Sequence, residues 1–146
     1  MANVFDVAKY ILENTGEIST YKLQKLCYYS QAWNLVWHDI PLYDSPIMAF
    51  AHGPVIKELY DYHKGQFSIK SSDIKKCKLS NILTDSEKDT INRVLQFYGN
   101  KTAQWLSDLT HMEEPWRNAR KGIPDGQPSS KVISLNDMME YYSSLQ

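Results

Sequence analysis

The chain has 146 residues, of which 42% are hydrophobic and 23% are charged, and its formal net charge is −1. A chain of this length suits one domain, so we expect a single domain over residues 1–146. The balanced charge argues against general affinity for nucleic acid or for anionic membranes. Two isolated cysteines, and the lack of an apolar signal or membrane-spanning run in the sequence, predict a protein of the cytoplasm.

The first two elements are predicted to be helices joined by a tight turn. Apolar residues recur at helical spacing over residues 3–14, and Gly16 is placed to end that helix. Ser19 then offers an N-cap for the second helix.

The second helix is predicted to be the centre of the fold. Residues 23–37 contain neither Gly nor Pro, and from Tyr28 onward the pattern is apolar on all sides. A helix of that kind has to be surrounded by other elements. Only its first turns, which carry Lys22, Gln24 and Lys25, are expected to reach the surface.

This helix–turn–helix opening also has the dimensions of a DNA reader. A recognition helix is apolar on one face only, whereas this second helix is apolar on its outer side as well. The pattern therefore favours a core helix and makes nucleic acid an unfavoured partner. An autoregulator that binds the DNA of its own operon stays the alternative.

The middle of the chain is predicted to contain a small sheet and a helix. The apolar run 47–51 favours a buried strand, and the alternation over 67–70 is a weak strand signal. Between them, Gly53 and Pro54 suit the N-cap and first position of a helix that ends near Gly65.

The last part of the chain is predicted to be mainly helical. Thr84 and Glu87 form a capping box for a helix that ends at Gly99, and Trp105 is expected to point inward from the next helix. We therefore expect a mainly α fold: a compact helical domain around a buried central helix, with a small two- or three-stranded sheet. The other predicted elements are a surface loop over 71–80, a helix over 102–110, a short helix from Glu114, a loop over 122–130 and a helix capped by Ser134.

No catalytic pattern is recognisable in the sequence. Glycine-rich phosphate loops and the GxSxG nucleophile motif are both missing from it. We expect no catalytic residue, no cofactor and no metal, and therefore a binding protein rather than an enzyme. A divalent-metal site stays open as the less favoured alternative to ordinary structural histidines, and its candidates would be His52, His63, His111, Glu58, Glu113 and Glu114.

Four short motifs, taken together and in this order, resemble a known family. They are Lys22-Leu-Gln-Lys-Leu-Cys-Tyr-Tyr29, then Pro41-Leu42, then Ala49-Phe-Ala-His-Gly-Pro-Val55 with Leu59-Tyr60, and then Thr110-His111 with Pro115-Trp116 and Arg120. The chain resembles the Panacea domain of SocA-like antitoxins and GepA-type prophage-associated proteins, from about residue 3 to residue 142. One departure is Phe50, where the family commonly has Trp.

The resemblance implies an antitoxin encoded beside its toxin. Such proteins neutralise the toxin through protein contact, in some cases by delivering it to a protease by way of a protease chaperone, and they are not known as enzymes. The same scaffold would also suit a phage-encoded inhibitor of a host defence protein, which stays a further alternative.

The motif residues after the central helix suggest where a partner binds. Because the two motif groups are distant in sequence and both lie at turns, we expect them to meet in a junction that is structural at least in part. We expect Leu26→Asp to unfold the protein and Arg120→Ala to leave it folded. The candidate partner-binding residues are His52, Gly53, Pro54, Val55, Tyr60, Tyr62, His111, Trp116, Arg117 and Arg120.

Overall fold

The computed structural model describes residues 2–77 and 82–146 and confirms a mainly α fold with a minor β part. Of the loop predicted over 71–80, residues 78–80 lie outside the described residues. The helices are α1 (Val4–Thr15), α2 (Thr20–His38), α3 (Lys57–His63), α4 (Asp85–Tyr98), α5 (Ala103–Met112), α6 (Glu114–Ala119) and α7 (Leu135–Ser143). The strands are β1 (Ile18–Ser19), β2 (Ile47–Phe50), β3 (Gly53–Ile56) and β4 (Ser68–Ile69).

The predicted small sheet is present as two antiparallel pairs. Strands β2 and β3 form a hairpin in which Phe50 lies opposite Gly53, and β1 pairs with β4. Val132 bridges to Met48 on the other side of β2, so a later segment extends the hairpin by one short contact.

Side-chain caps fix the helix starts that the sequence predicted. Ser19 caps α2 through the amide of Lys22, and Ser134 caps α7 in the same way. At α4, the hydroxyl of Thr84 accepts from the amide of Glu87, whose carboxylate accepts in turn from the amide of Thr84. Each cap satisfies amide groups that the helix itself leaves without a partner.

Helix α2 lies at the centre, packed by α1, α4, α5, α7 and β3. The prediction that the first turns of α2 reach the surface is correct for Lys22, which is half-buried, and wrong for the other two residues. Gln24 and Lys25 are buried, whereas Trp33 and Trp37 are partly exposed. The N-terminal half runs beneath the hairpin, where its polar groups have backbone partners, and the C-terminal half borders an open groove.

The helix predicted to begin at Gly53 and Pro54 is also corrected. These residues start β3, and the helix begins only at Lys57. Gly53 has a φ of +124°, which is not a helical conformation, and the branched side chains of Val55 and Ile56 suit a strand that pairs with β2.

Trp105 does not point inward as predicted. It is 41% exposed, while its neighbour Leu106 is completely buried. Among the described residues, no helix is both long enough and apolar enough to cross a membrane.

Candidate functional site

The turn of the β2–β3 hairpin is held by a row of hydrogen bonds from side chains. Four consecutive carbonyl groups, from Ala49 to His52, each lie within hydrogen-bonding distance of a side chain of another element. We call this arrangement the junction. Its bonds run from Arg120 Nη1 to Ala49 O (2.9 Å), Trp116 Nε1 to Phe50 O (2.8 Å), His111 Nε2 to Ala51 O (3.2 Å), Ser107 Oγ to His52 O (3.2 Å) and Tyr21 Oη to His52 O (2.5 Å).

The bend between α5 and α6 places His111 and Trp116 side by side. Glu113 ends α5 and precedes α6, and Pro115 occupies the first turn of α6, where a missing amide costs nothing. The two rings lie 4.2 Å apart between centroids. The Nδ1 of His111 lies 2.6 Å from Ser107 O and its Nε2 lies 3.2 Å from Ala51 O, and a neutral ring can donate to only one of these two carbonyls. The two motifs that sequence placed at distant turns are therefore brought together.

Arg120 is an internal tie rather than a surface contact. It is only 4% exposed, and besides Ala49 O its guanidinium donates to Pro124 O (3.1 Å) and Gln127 O (2.6 Å). The side chain thus joins the hairpin to the loop that follows α6. Removing it would take away the donor to Ala49 O and two ties to the loop after α6, where Pro124 O keeps the amide of Gln127, and this argues against the expectation that Arg120→Ala leaves folding intact.

The polar residues of the first motif bind β3 from below. Gln24 forms a two-way bond with the backbone of Ile56, accepting from its amide (2.8 Å) and donating to its carbonyl (3.2 Å). Lys25 Nζ lies 3.4 Å from Pro54 O. Gly53 passes so close above that an added Cβ would lie 2.9 Å from Lys25 Cε. The polar residues of this motif therefore hold the hairpin in place on α2.

Lys25 is a buried amine without a carboxylate partner among the described residues. Its Nζ lies 4.1 Å from the centroid of the Tyr21 ring, and that face is the chief electrostatic contact besides Pro54 O. Burial lowers the pKa of Lys25 to about 7. With a pKa in this range, the Lys25 amine beneath the junction would gain or lose a proton near neutral pH.

A cleft of about 470 Å³ opens above the junction, between the hairpin turn and the loop after α6. His52 and Arg117 are exposed at its edge, and His111 is half-buried. Tyr60 is half-buried on α3, and the centroid of its ring lies 5.8 Å from that of Phe50 in the hairpin. The other junction candidates, Gly53, Pro54, Val55, Trp116 and Arg120, are buried.

Tyr62 lies away from the junction. Its ring packs against Phe5 at 5.2 Å, and its hydroxyl donates to Asp73 O at 2.6 Å. It therefore fastens α3 to α1 and to the segment after β4.

The histidines considered as metal ligands occupy separate hydrogen-bonded positions. His63 Nε2 lies 3.0 Å from Gln24 Nε2, and His111 is engaged by backbone carbonyls. In residues 2–77 and 82–146, no three His, Cys, Asp or Glu side chains group as metal ligands.

Sequence reasoning missed a second cavity of about 570 Å³ between α2, α4 and α5. The apolar pattern of residues 23–37 predicts burial on all sides, and the periodicity around Trp105 predicts an inner face, so neither pattern indicates an open apolar surface. The one available signal was Phe97, which lies off the apolar face of α4 and is 58% exposed. We call this cavity the aromatic groove and define it by Trp33, Trp37, Phe97, Tyr98, Trp105 and Glu113.

The fold and the junction define a small helical protein built around one buried helix, with a hairpin fastened to its end. The family model described as "Antitoxin SocA-like, Panacea domain" matches residues 23–117. The chain belongs to this family. Membership gives it an antitoxin role in general, implies a toxin as partner, and points to a non-enzymatic function. No curated protein and no solved structure matches the chain.

Proposed function

We propose that this protein is an antitoxin that neutralises its cognate toxin by direct contact in the cytoplasm. The observation that carries the proposal is the family match over residues 23–117. Exposed aromatic and arginine side chains support a role in binding, because Trp, Tyr and Arg are the usual anchors of protein interfaces.

The structure gives the DNA-binding alternative little support. Lys25 is buried, and Lys22 Nζ donates to Gly99 O at 2.7 Å, so the two early lysines of α2 are engaged within the protein. A reader of DNA needs such cations free for phosphates. The second helix of the opening motif therefore lacks the surface that a recognition helix requires.

We propose that the rim of the cleft above the junction forms part of the contact surface. His52 and Arg117 present accessible polar groups there. The buried motif residues hold this rim in place through the hairpin carbonyls. Substituting a rim residue should therefore weaken toxin binding without lowering stability.

Co-expression with the neighbouring reading frames tests the proposal. Each neighbour is induced alone and then together with this protein, and growth is followed. We expect one neighbour to arrest growth, the arrest to be relieved, and the two proteins to co-purify. His52→Ala and Arg117→Ala test the rim, with exposed Phe67→Ala as a distant control. Harmless neighbours throughout would contradict the antitoxin proposal.

The half-life of the toxin separates two modes of neutralisation. Sequestration leaves the toxin stable inside the complex, whereas delivery to a protease by way of a protease chaperone shortens its half-life only when this protein is present. If the protein instead protects a phage from a host defence system without any toxic neighbour, the inhibitor alternative gains the support that the antitoxin proposal loses.

We further propose that residues 1–146 act as a single folding unit. One hydrophobic core takes side chains from Ala2 near the start to Tyr142 near the end. A single urea transition, coincident by tryptophan fluorescence and by circular dichroism, is the expected result. Two separate transitions would contradict it.

A further inference from the structure

The aromatic groove shares no lining residue with the junction cleft, and its lining combines aromatic side chains with one carboxylate. Trp33 and Trp37 come from the end of α2, Phe97 and Tyr98 from α4, and Trp105 from α5. Phe97 and Trp105 are among the most exposed aromatic side chains of the described residues. An open cavity of about 570 Å³ with such walls is large enough for a long side chain of a partner.

The aromatic faces of the groove already attract cations. Lys101 Nζ lies 4.9 Å from the centroid of Trp105, and Arg93 Cζ lies 5.0 Å from that of Trp37. Both cations are at the rim, and Arg93 and its partner Asp89 are both more than half exposed. Such a pair is weak and can move aside. The two contacts show that the faces of these rings favour a cation. Neither cation fills the space between the rings.

A carboxylate that is almost completely buried lines the same groove. Glu113 is 5% exposed, and its Oε1 accepts from the hydroxyls of Tyr29 (2.8 Å) and Tyr142 (2.7 Å). Among the described residues, no donor bonds to Oε2, and no cation pairs with the carboxylate. Burial raises the pKa of Glu113, and the two tyrosine bonds only oppose that effect. The groove therefore contains a carboxylate oxygen that has no protein donor among the described residues.

We propose that the aromatic groove binds a lysine or arginine side chain of the toxin, with the alkyl stem between the aromatic walls and the charged head at Glu113 Oε2. The identity of the partner rests on the proposed function, whereas the preference for a basic group rests on the groove alone. A cation supplies the missing donor and neutralises the buried carboxylate.

Other occupants fit this floor less well. A purely apolar side chain would cover Glu113 Oε2 without offering a hydrogen bond, which costs free energy. An acidic side chain would place a second negative charge beside a buried one. A basic side chain has an apolar stem, which suits the aromatic side chains of the groove, and a charged donor, which suits the carboxylate of Glu113.

Amino acid derivatives test the preference without the toxin. The protein is titrated with N-acetyl-lysine methylamide, N-acetyl-arginine methylamide and the neutral N-acetyl-norleucine methylamide, and the indole NH signals of Trp33, Trp37 and Trp105 are followed by NMR. We expect the basic probes to bind about tenfold more tightly than norleucine. Equal binding, tighter norleucine binding, or no binding by the basic probes would overturn the inference.

Two variants locate the preference. Glu113→Gln keeps an oxygen for the two tyrosines but loses the charge, so the advantage of the basic probes should disappear while norleucine binds as before. Trp105→Ala removes an exposed wall and should weaken all probes, whereas Phe67→Ala, 86% exposed elsewhere, should change none. Circular dichroism and urea midpoints confirm that each variant is folded. A basic preference that persists in the folded Glu113→Gln protein overturns the inference.

The toxin arm separates this inference from the proposed function. If the wild-type protein neutralises its toxin and Glu113→Gln and Trp105→Ala bind that toxin equally well, the groove is not the contact and only the inference fails. If no neighbouring toxin is found, the proposed function fails together with the identity of the partner. The probe titrations then still decide whether the groove selects basic groups.

Discussion

Lys25 is completely buried beneath the hairpin and has Pro54 O and the face of Tyr21 as its polar surroundings. Replacing it with methionine keeps the linear shape and removes the amine. Because burial lowers the pKa of Lys25 to about 7 from 10.5, the folded state releases a proton that the unfolded chain retains between these values. Stability should therefore increase as pH rises through this interval and should be lowest below pH 7.

The size of the effect follows from the two pKa values. With 10.5 in the unfolded chain and about 7 in the folded protein, the free energy of unfolding should increase by about 1.5 kcal/mol between pH 7 and 8.5. The upper limit is chosen because burial raises the pKa values of Cys27 and the core tyrosines, and their ionisation in the unfolded chain lowers stability at higher pH. The slope is therefore clearest in this window.

Urea unfolding at several pH values, followed by tryptophan fluorescence, measures this slope. In Lys25→Met the increase should disappear, and at pH 7 the variant should be at least as stable as the wild type, since a buried unpaired amine is replaced by an apolar group of similar size. A wild-type stability that is flat from pH 7 to 8.5, or a variant that retains the increase, would refute the assignment of the proton to Lys25.

Three further predictions concern the junction and the core. Gly53→Ala should destabilise the protein by about 2 kcal/mol because its Cβ would meet Lys25, whereas Gly126→Ala, which also has a positive φ but open space around it, should cost about 1 kcal/mol; thermal melts compare the two. Arg120→Met should cost about 3 kcal/mol in urea unfolding because it removes the donor to Ala49 O and the ties to the loop after α6, and exposed Arg117→Met should stay within about 0.5 kcal/mol, so equal values would contradict the internal tie. Leu26→Asp should abolish the cooperative transition because it buries a carboxylate in the core, and a cooperative melt from this variant would disprove that.

Local features of the sequence predicted much of the helical framework. The Thr84 and Glu87 capping box, the Ser19 cap and the Ser134 cap are each decided by residues three positions apart. Such signals act within one turn of chain and do not depend on what packs around it. The mainly α fold and the central place of α2 followed from them and from apolar periodicity.

Long-range partners explain where the sequence misled. Gln24 and Lys25 look like surface residues because they are polar, but their partners are the backbone groups of Ile56 and Pro54, 32 and 29 residues away. The same limit applies to Trp105, whose periodicity does not show that one side of α5 is left uncovered. The local sequence around Gly53 suits the start of a helix as well as a hairpin. Only its pairing with Phe50 of β2 distinguishes the two.

Family motifs located the junction, although they did not show its bonds. The resemblance points to His111 and Trp116, and the positions of the two turns predict that they meet. What no local pattern revealed is that each donor has a successive carbonyl of the hairpin as its acceptor. The aromatic groove had no motif at all, because its walls come from three helices.

The carbonyl row of the junction also bears on how the chain is synthesised. Its four carbonyl groups bond to donors 55, 60, 66 and 71 residues further along the sequence. During translation the hairpin leaves the ribosome well before α5 and α6, so water must hydrate the carbonyls of residues 49–51 until the later helices emerge, whereas the earlier Tyr21 is already available to His52 O. The nascent chain therefore passes through a stage in which one edge of β2 is unpaired, and residues 131–133, which follow α6, are the last to pair with it.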